Sequence, residues 1–248
     1  MSAGRAIGVL ATALLLVTGL GYLASQTIVA RPSVDLSARQ FVPAPVPAEV
    51  EPQVRAGQAV GVPQVDPQWL AATSRSTGIP APALRAYARV QLDGRAGCPV
   101  GWTTLAGIGW VESHHGTLGN RTLREDGHSS SDILGPALDG HGDFAAVPAT
   151  PGSAAFHDDA RWEHAVGPLQ FLPETWSRFA ADGDGDGRSD PHDLDDAAAA
   201  AARYLCATGG DVTTGRGWST AVLSYNHSRA YLDAVHEAAM TYAMRSVR

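Results

Sequence analysis

The chain has 248 residues and a formal net charge of −7. That balance excludes an extended nucleic-acid surface, which needs clustered positive charge, and the length suits one sizeable domain with appendages. Charged residues make up only 17%, while Ala, Gly and Pro are abundant, a composition that points to close-packed helices joined by irregular loops.

Residues 6–24 form an almost unbroken apolar run between Arg5 and Arg31. It is about as long as a bilayer-spanning helix and long for the core of a signal peptide. Residues 1–30 therefore read as an uncleaved signal anchor with a short cytoplasmic tail; cleavage after Ala24 or Ala30 is the alternative. This predicts attachment to the cytoplasmic membrane with the rest of the chain on its extracytoplasmic face or in the cell wall, secreted if the segment is cut. Residues 31–64 carry Pro32, Pro43, Pro45, Pro47, Pro52 and Pro63 among small and polar residues. Such a stretch buries too little apolar surface to fold and is kept extended by its prolines, so it reads as a linker holding the domain off the membrane.

The domain is expected over residues 65–248. Asp66-Pro67 is an N-cap followed by Pro at the first helical position, and Gly78 ends that helix. Pro80 and Pro82 open a second helix carrying Leu84, Tyr87 and Val90 at helical spacing; 94–97 is a turn. Cys98-Pro99 introduces a third helix that ends at Glu112. On it Leu105, Ile108, Gly109 and Glu112 project from one side. That side is otherwise apolar, so Glu112 is expected to point inward or into a cleft. A carboxyl group among Trp and aliphatic side chains tends to stay protonated at neutral pH, which is what a general acid needs. A helix-end Glu that merely caps or pairs is the alternative.

Residues 116–160 are rich in Gly, Ser, Asp, Pro and His and hold no period. A loop this long in a compact domain is usually functional; Ile133, Leu134, Leu138 and Phe144 are its expected anchors. Gly167-Pro168-Leu169-Gln170-Phe171 follows. Gln170 is a long amide in an apolar setting and must be hydrogen-bonded, either to backbone or to a ligand amide. Next comes an acidic loop. Asp182, Asp184, Asp186 and Asp190 stand at positions 1, 3, 5 and 9 of a calcium-binding EF-hand pattern, with Gly187 at 6 and Arg188 at the backbone-ligating position 7. Position 12 is Asp193 rather than Glu; Asp195 or Asp196 could close a longer loop. An alanine-rich helix then runs to Cys206. A stripe of Trp218, Ala221, Val222 and Tyr225 is followed by Asn226-His227-Ser228 and by a last helix with Tyr231, Leu232 and Val235. Cys98 and Cys206, in an exported domain, suggest one disulfide; two free buried thiols are the alternative.

Taken in order, Glu112-Ser113, Gly167-Pro168-Leu169-Gln170-Phe171, the acidic loop of 182–196 and Tyr225-Asn226 resemble the pattern of the B-type membrane-bound lytic murein transglycosylases, particularly actinobacterial members. Leu169 stands where that family has Met, a volume-conserving difference. The resemblance implies a mostly α, lysozyme-like (transglycosylase SLT-type) domain with long irregular loops and an EF-hand-like calcium loop. It implies cleavage between N-acetylmuramic acid and N-acetylglucosamine with closure of a 1,6-anhydro ring. Glu112 would act as acid and then base. Gln170 would bind glycan amides, Tyr225 would orient Glu112, and Ser113, Phe171 and Asn226 would complete the substrate site. Calcium would sit on Asp182, Asp184, Asp186, Arg188, Asp190 and Asp193 or Asp196. The expected partner is a peptidoglycan glycan strand, bound by a monomer with no nucleic acid. A muramidase using water, with Asp126 or Asp159 as second carboxylate, and a non-catalytic wall-binding module are the alternative readings.

Overall fold

The computed structural model describes residues 35–48, 61–141 and 145–246. Helix α1 spans Pro67–Thr77, α2 Ala81–Asp93, α3 Trp102–Ser113, α4 Pro173–Phe179, α5 Leu194–Gly209, α6 Gly215–Tyr225 and α7 Arg229–Ser246. A short 3₁₀ turn covers Ala154–Phe156. The signals read from the sequence act as expected at the first helices. The Asp66 carboxylate accepts from the Trp69 N–H at 2.7 Å, Pro67 opens α1, and Gly78 closes it in the left-handed conformation.

Helix α3 is apolar on nearly every face, and a helix of that kind belongs in the centre of a fold. All of its residues from Leu105 to Ile108 are essentially inaccessible. It packs chiefly on α7 and also on α2. The crossing with α7 is close because Gly107 faces the α7 backbone: a Cβ there would lie 2.7 Å from the Val235 carbonyl. The alanines of α5 let it pack between α2 and α6, with Ala197, Ala198, Ala200, Ala201 and Ala202 fully buried. The Cys98–Cys206 disulfide, with Cα atoms 5.5 Å apart, ties the chain entering α3 to α5. Among the described residues there are isolated β-bridges but no strand.

The irregular region between α3 and α4 folds over a small second core of Leu138, Ala165 and Leu172, with Val147 against it. Of its expected anchors, Ile133 and Leu138 are buried, Leu134 is 43% exposed, and Phe144 lies outside the described residues.

Residues 35–48 differ from a free spacer. They run extended, as their prolines dictate, but along the domain surface. Phe41 stacks on Trp218 with ring centroids 4.5 Å apart, and Leu36 is buried. The Phe41 N–H donates to the Thr213 carbonyl at 2.7 Å, the Gly215 N–H to the Arg39 carbonyl at 2.8 Å, and the Gln91 amide to the Ala44 carbonyl at 2.8 Å. Leu36, Phe41, Ala44 and Val46 pack against the core and seat the Pro-rich stretch, with backbone groups of the domain as hydrogen-bond partners. The expected anchor, residues 1–30, lies outside the described residues; among those described, no helix is long and apolar enough to cross a membrane.

Candidate active site

Glu112 is the penultimate residue of α3 and is only 7% exposed. The hydroxyl of Tyr231, on the first turn of α7, donates to its Oε1 at 2.6 Å. Tyr225, expected to hold Glu112, instead donates to the Leu169 carbonyl at 2.8 Å. It sits at the end of α6, edge-on to Phe171 and Tyr204 at 5.8 and 5.5 Å. Burial, with the charge of Glu112 adding to it, holds both tyrosine hydroxyls well above their ordinary titration range, so both remain donors.

The Glu-Ser pair and the Gly-Pro-Leu-Gln-Phe segment are joined directly. Ser113 donates to the Pro168 carbonyl at 2.6 Å and accepts from the Gly116 N–H at 2.7 Å. Gln170 is half-buried in the left-handed region, φ 51°, and its amide donates to the Gly167 carbonyl at 2.9 Å. The backbone reading of Gln170 therefore has a partner. Phe171 is buried against Trp176. Gly167 has φ 75°, and a Cβ there would run into the Pro191 carbonyl, so the end of the acidic loop abuts this turn. Asn226 is buried and accepts from the Ser228 N–H at 3.0 Å at the entry to α7. Glu112, Ser113, Gln170, Phe171 and Tyr225 thus share one neighbourhood, and Asn226 shapes the turn that delivers Tyr231 to it. Tyr231 was not singled out from the sequence as a site residue. Its one signal was a hydroxyl on an otherwise apolar helical stripe, which has to find a partner when buried.

At the acidic loop, oxygens of Asp182, Asp184 and Asp196 come within 4.8 Å of one another. Backbone N–H groups of Gly185 and Gly187 bond Asp182, and those of Gly183 and Asp190 bond Asp196. Burial, together with the charges of Asp184 and Asp182, pushes the Asp196 carboxyl up to about 7. A cation would relieve that repulsion, and hard oxygen donors suit calcium, so the three carboxylates fit the ion. Of the carboxylates offered to close the loop, Asp196 is in the cluster and Asp193 is not. It is the N-cap of α5: its Oδ1 accepts from the Asp195 N–H at 2.8 Å. Asp195 pairs with Arg89 at 3.0 Å. Asp186 and Asp190 each turn an oxygen to a backbone N–H two residues on, and Arg188 is exposed.

Residues 157–223 match the transglycosylase SLT domain family. The matched SLT segment contains Gln170, the acidic loop, α4, α5 and most of α6. Glu112, Tyr225 and Tyr231 lie outside it. No curated protein matches the chain. A solved structure, the Escherichia coli lytic transglycosylase Slt35 in complex with bulgecin A, is similar over 79% of this chain and 82% of that one, at 15% identity and a TM-score of 0.44. The mostly helical architecture around the SLT segment is the one expected from the sequence.

Proposed function

We propose that the chain is a lytic transglycosylase of peptidoglycan with Glu112 as its single acid–base group. The observation that carries this reading is a glutamate buried at the end of the central helix, hydrogen-bonded by Tyr231 and joined through Ser113 to the SLT segment. Protonated Glu112 gives its proton to the oxygen linking N-acetylmuramic acid to N-acetylglucosamine, and the C1–O bond breaks. Positive charge develops at C1, where the substrate's own acetamido oxygen assists. The Glu112 carboxylate then takes the proton of the muramyl 6-hydroxyl as O6 bonds to C1. The sugar leaves as a 1,6-anhydro ring, no water is consumed, and Glu112 is protonated again. One carboxyl group serves where a hydrolase generally needs two.

The muramidase reading would use Asp126 or Asp159 as its ionised second carboxylate, and product analysis separates it from the transglycosylase. Asp159 is held down to about 2 by the Arg161 N–H, the His164 ring and the Trp162 N–H. Asp126 is engaged by Arg124 at 3.1 Å and by the His128 N–H at 3.2 Å. Both candidate second carboxylates are thus occupied in their own loops. In the proposed enzyme Gln170 binds glycan amides from its turn, and residues 6–24 keep the domain at the outer face of the membrane. The protein works as a monomer.

A calcium ion on Asp182, Asp184 and Asp196 would add a structural clamp between the acidic loop and α5. Calorimetric titration should give one calcium bound per chain with a rise in melting temperature; no binding and no rise would remove the ion from the account. For the activity, purified sacculi are incubated with the protein and with Glu112→Gln. Soluble muropeptides should be released by the first and not by the second, which should still co-sediment with the wall. Retention without release by the unsubstituted protein would identify a wall-binding module instead.

A further inference from the structure

The domain surface is shaped for residues 35–48. Gly101 and Gly215 stand where this segment passes: a Cβ at Gly215 would run into the Leu36 carbonyl, and one at Gly101 would come within 3.3 Å of the Pro43 Cα. Phe41, stacked on Trp218, also meets the His236 ring edge-on at 5.9 Å. Trp218 is fixed from behind by α3, where the Thr104 hydroxyl accepts from its Nε1 at 3.0 Å. Gln91 bridges the segment to the start of the same helix. Its amide donates to the Ala44 carbonyl, and its Oε1 accepts from the N–H of Trp102, the first residue of α3, at 2.8 Å. At the far end the Asp66 N–H donates to the Pro47 carbonyl at 3.0 Å. Contacts thus run along the segment from Leu36 to Pro47.

The seat sets the length of the tether. Between the apolar run that ends at Ala24 and the domain lie residues 25–64, a chain that spans at most about 140 Å. With 35–48 seated, the part left between that run and the domain surface is residues 25–34, which span at most about 35 Å. Bond geometry alone gives both limits, so they hold for any path the chain takes. The seat is also shallow. Leu36 alone of residues 35–48 is buried, while Phe41, Pro43, Ala44 and Val46 are half-buried. A segment that buries so little opens before the helices do.

We infer that residues 35–48 are a strap that sets the reach of the domain. Seated, it confines the domain to glycan lying nearest the membrane; unseated, it lets the domain out to strands several times farther away. A short tether concentrates a site near its anchor and excludes whatever lies beyond its length. The inference rests on the reading above that residues 6–24 keep the chain at the outer face of a membrane.

The full chain, with a donor dye at an exposed position of α7 (Met244→Cys), is reconstituted into phosphatidylcholine vesicles containing acceptor-labelled lipid. It is compared with the same chain carrying Leu36→Asp and Phe41→Asp, which remove the strap's anchors, or Gly215→Ala, which blocks the seat from the domain side. Hydrogen exchange should find the backbone amides of residues 41 and 215 protected in the starting chain and open in both variants, with α5 protected throughout. Energy transfer to the lipid should fall about twofold or more in both variants as the tether lengthens. Undiminished transfer with those amides open, amides already open in the starting chain, or amides still closed in both variants would overturn the strap. So would loss of protection across the whole domain in both variants, which would make residues 35–48 part of its core. Failure of the starting chain to join the vesicles would overturn the membrane reading and the strap's role with it, whereas release of muropeptides from sacculi reports on the glycan reading independently of either.

Discussion

Glu112 is held by a tyrosine from the helix after the Tyr225-Asn226 turn, not by the tyrosine of that pair. Tyr231→Phe removes the hydroxyl that fixes Oε1 and keeps the ring. The bond strengthens as Glu112 becomes a carboxylate in the transition state, where a hydrogen bond to a charged group contributes about 1.5–3 kcal/mol, so kcat should fall about tenfold to a hundredfold. Tyr225→Phe frees only the Leu169 carbonyl and should cost activity less than Tyr231→Phe does. Steady-state kinetics on soluble glycan strands separate the two, and the reverse order would return the orienting role to Tyr225. The burial of Glu112 was legible in the sequence because one carboxylate ends an apolar face. Tyr231 was not, because an aromatic at helical spacing reads as core, and its acceptor lies 119 positions away. Which of Asp193, Asp195 and Asp196 stands nearest Asp182 and Asp184 was not legible for a related reason. Counting twelve positions ignores the competing demand of α5 for an N-cap, and an Asp directly before the helix meets that demand first.

At the scale of elements, what fixes the end of α3 is a buried histidine. His114 and His115 both take the left-handed conformation, and the His115 ring lies between the Tyr87 hydroxyl at 3.1 Å and the Tyr242 hydroxyl at 2.9 Å. Burial, with the neighbouring His114 adding to it, pushes His115 down to about 3. The unfolded chain takes up that proton near pH 6.5, so the neutral ring's contribution is complete above that value. It is lost as the pH falls towards 3, by up to about 1.4 kcal/mol per pH unit. Urea unfolding at pH 7, 5 and 4 should therefore show the unsubstituted chain losing stability more steeply than His115→Gln; parallel slopes would mean that the ring is charged in the fold. Helix boundaries were legible wherever capping chemistry set them, as at Asp66-Pro67 and Gly78. The path of residues 35–48 was not. Proline content dictates an extended chain, but the surface it lies on, around Trp218 and Gly215, is assembled from residues distant in sequence.

For the whole molecule, the Cys98–Cys206 bond closes a loop across a sequence separation of 108, which holds the Glu112 helix and the SLT segment together. Replacing both cysteines by serine should lower the unfolding free energy by about 3–4 kcal/mol, chiefly by enlarging the unfolded ensemble; an unchanged denaturation midpoint would deny the bond that role. The helical class and the order of the four motifs were readable from the chain, whereas the stacking of the loop region on its own small core needed the fold. In the proposed reaction one buried carboxyl group cuts the glycan without water. Mass spectrometry of muropeptides released from purified sacculi tests it most directly. The unsubstituted protein should leave 1,6-anhydro-muramyl ends, and Glu112→Gln should leave none. Reducing muramyl ends from the unsubstituted protein, or undiminished release by Glu112→Gln, would contradict it.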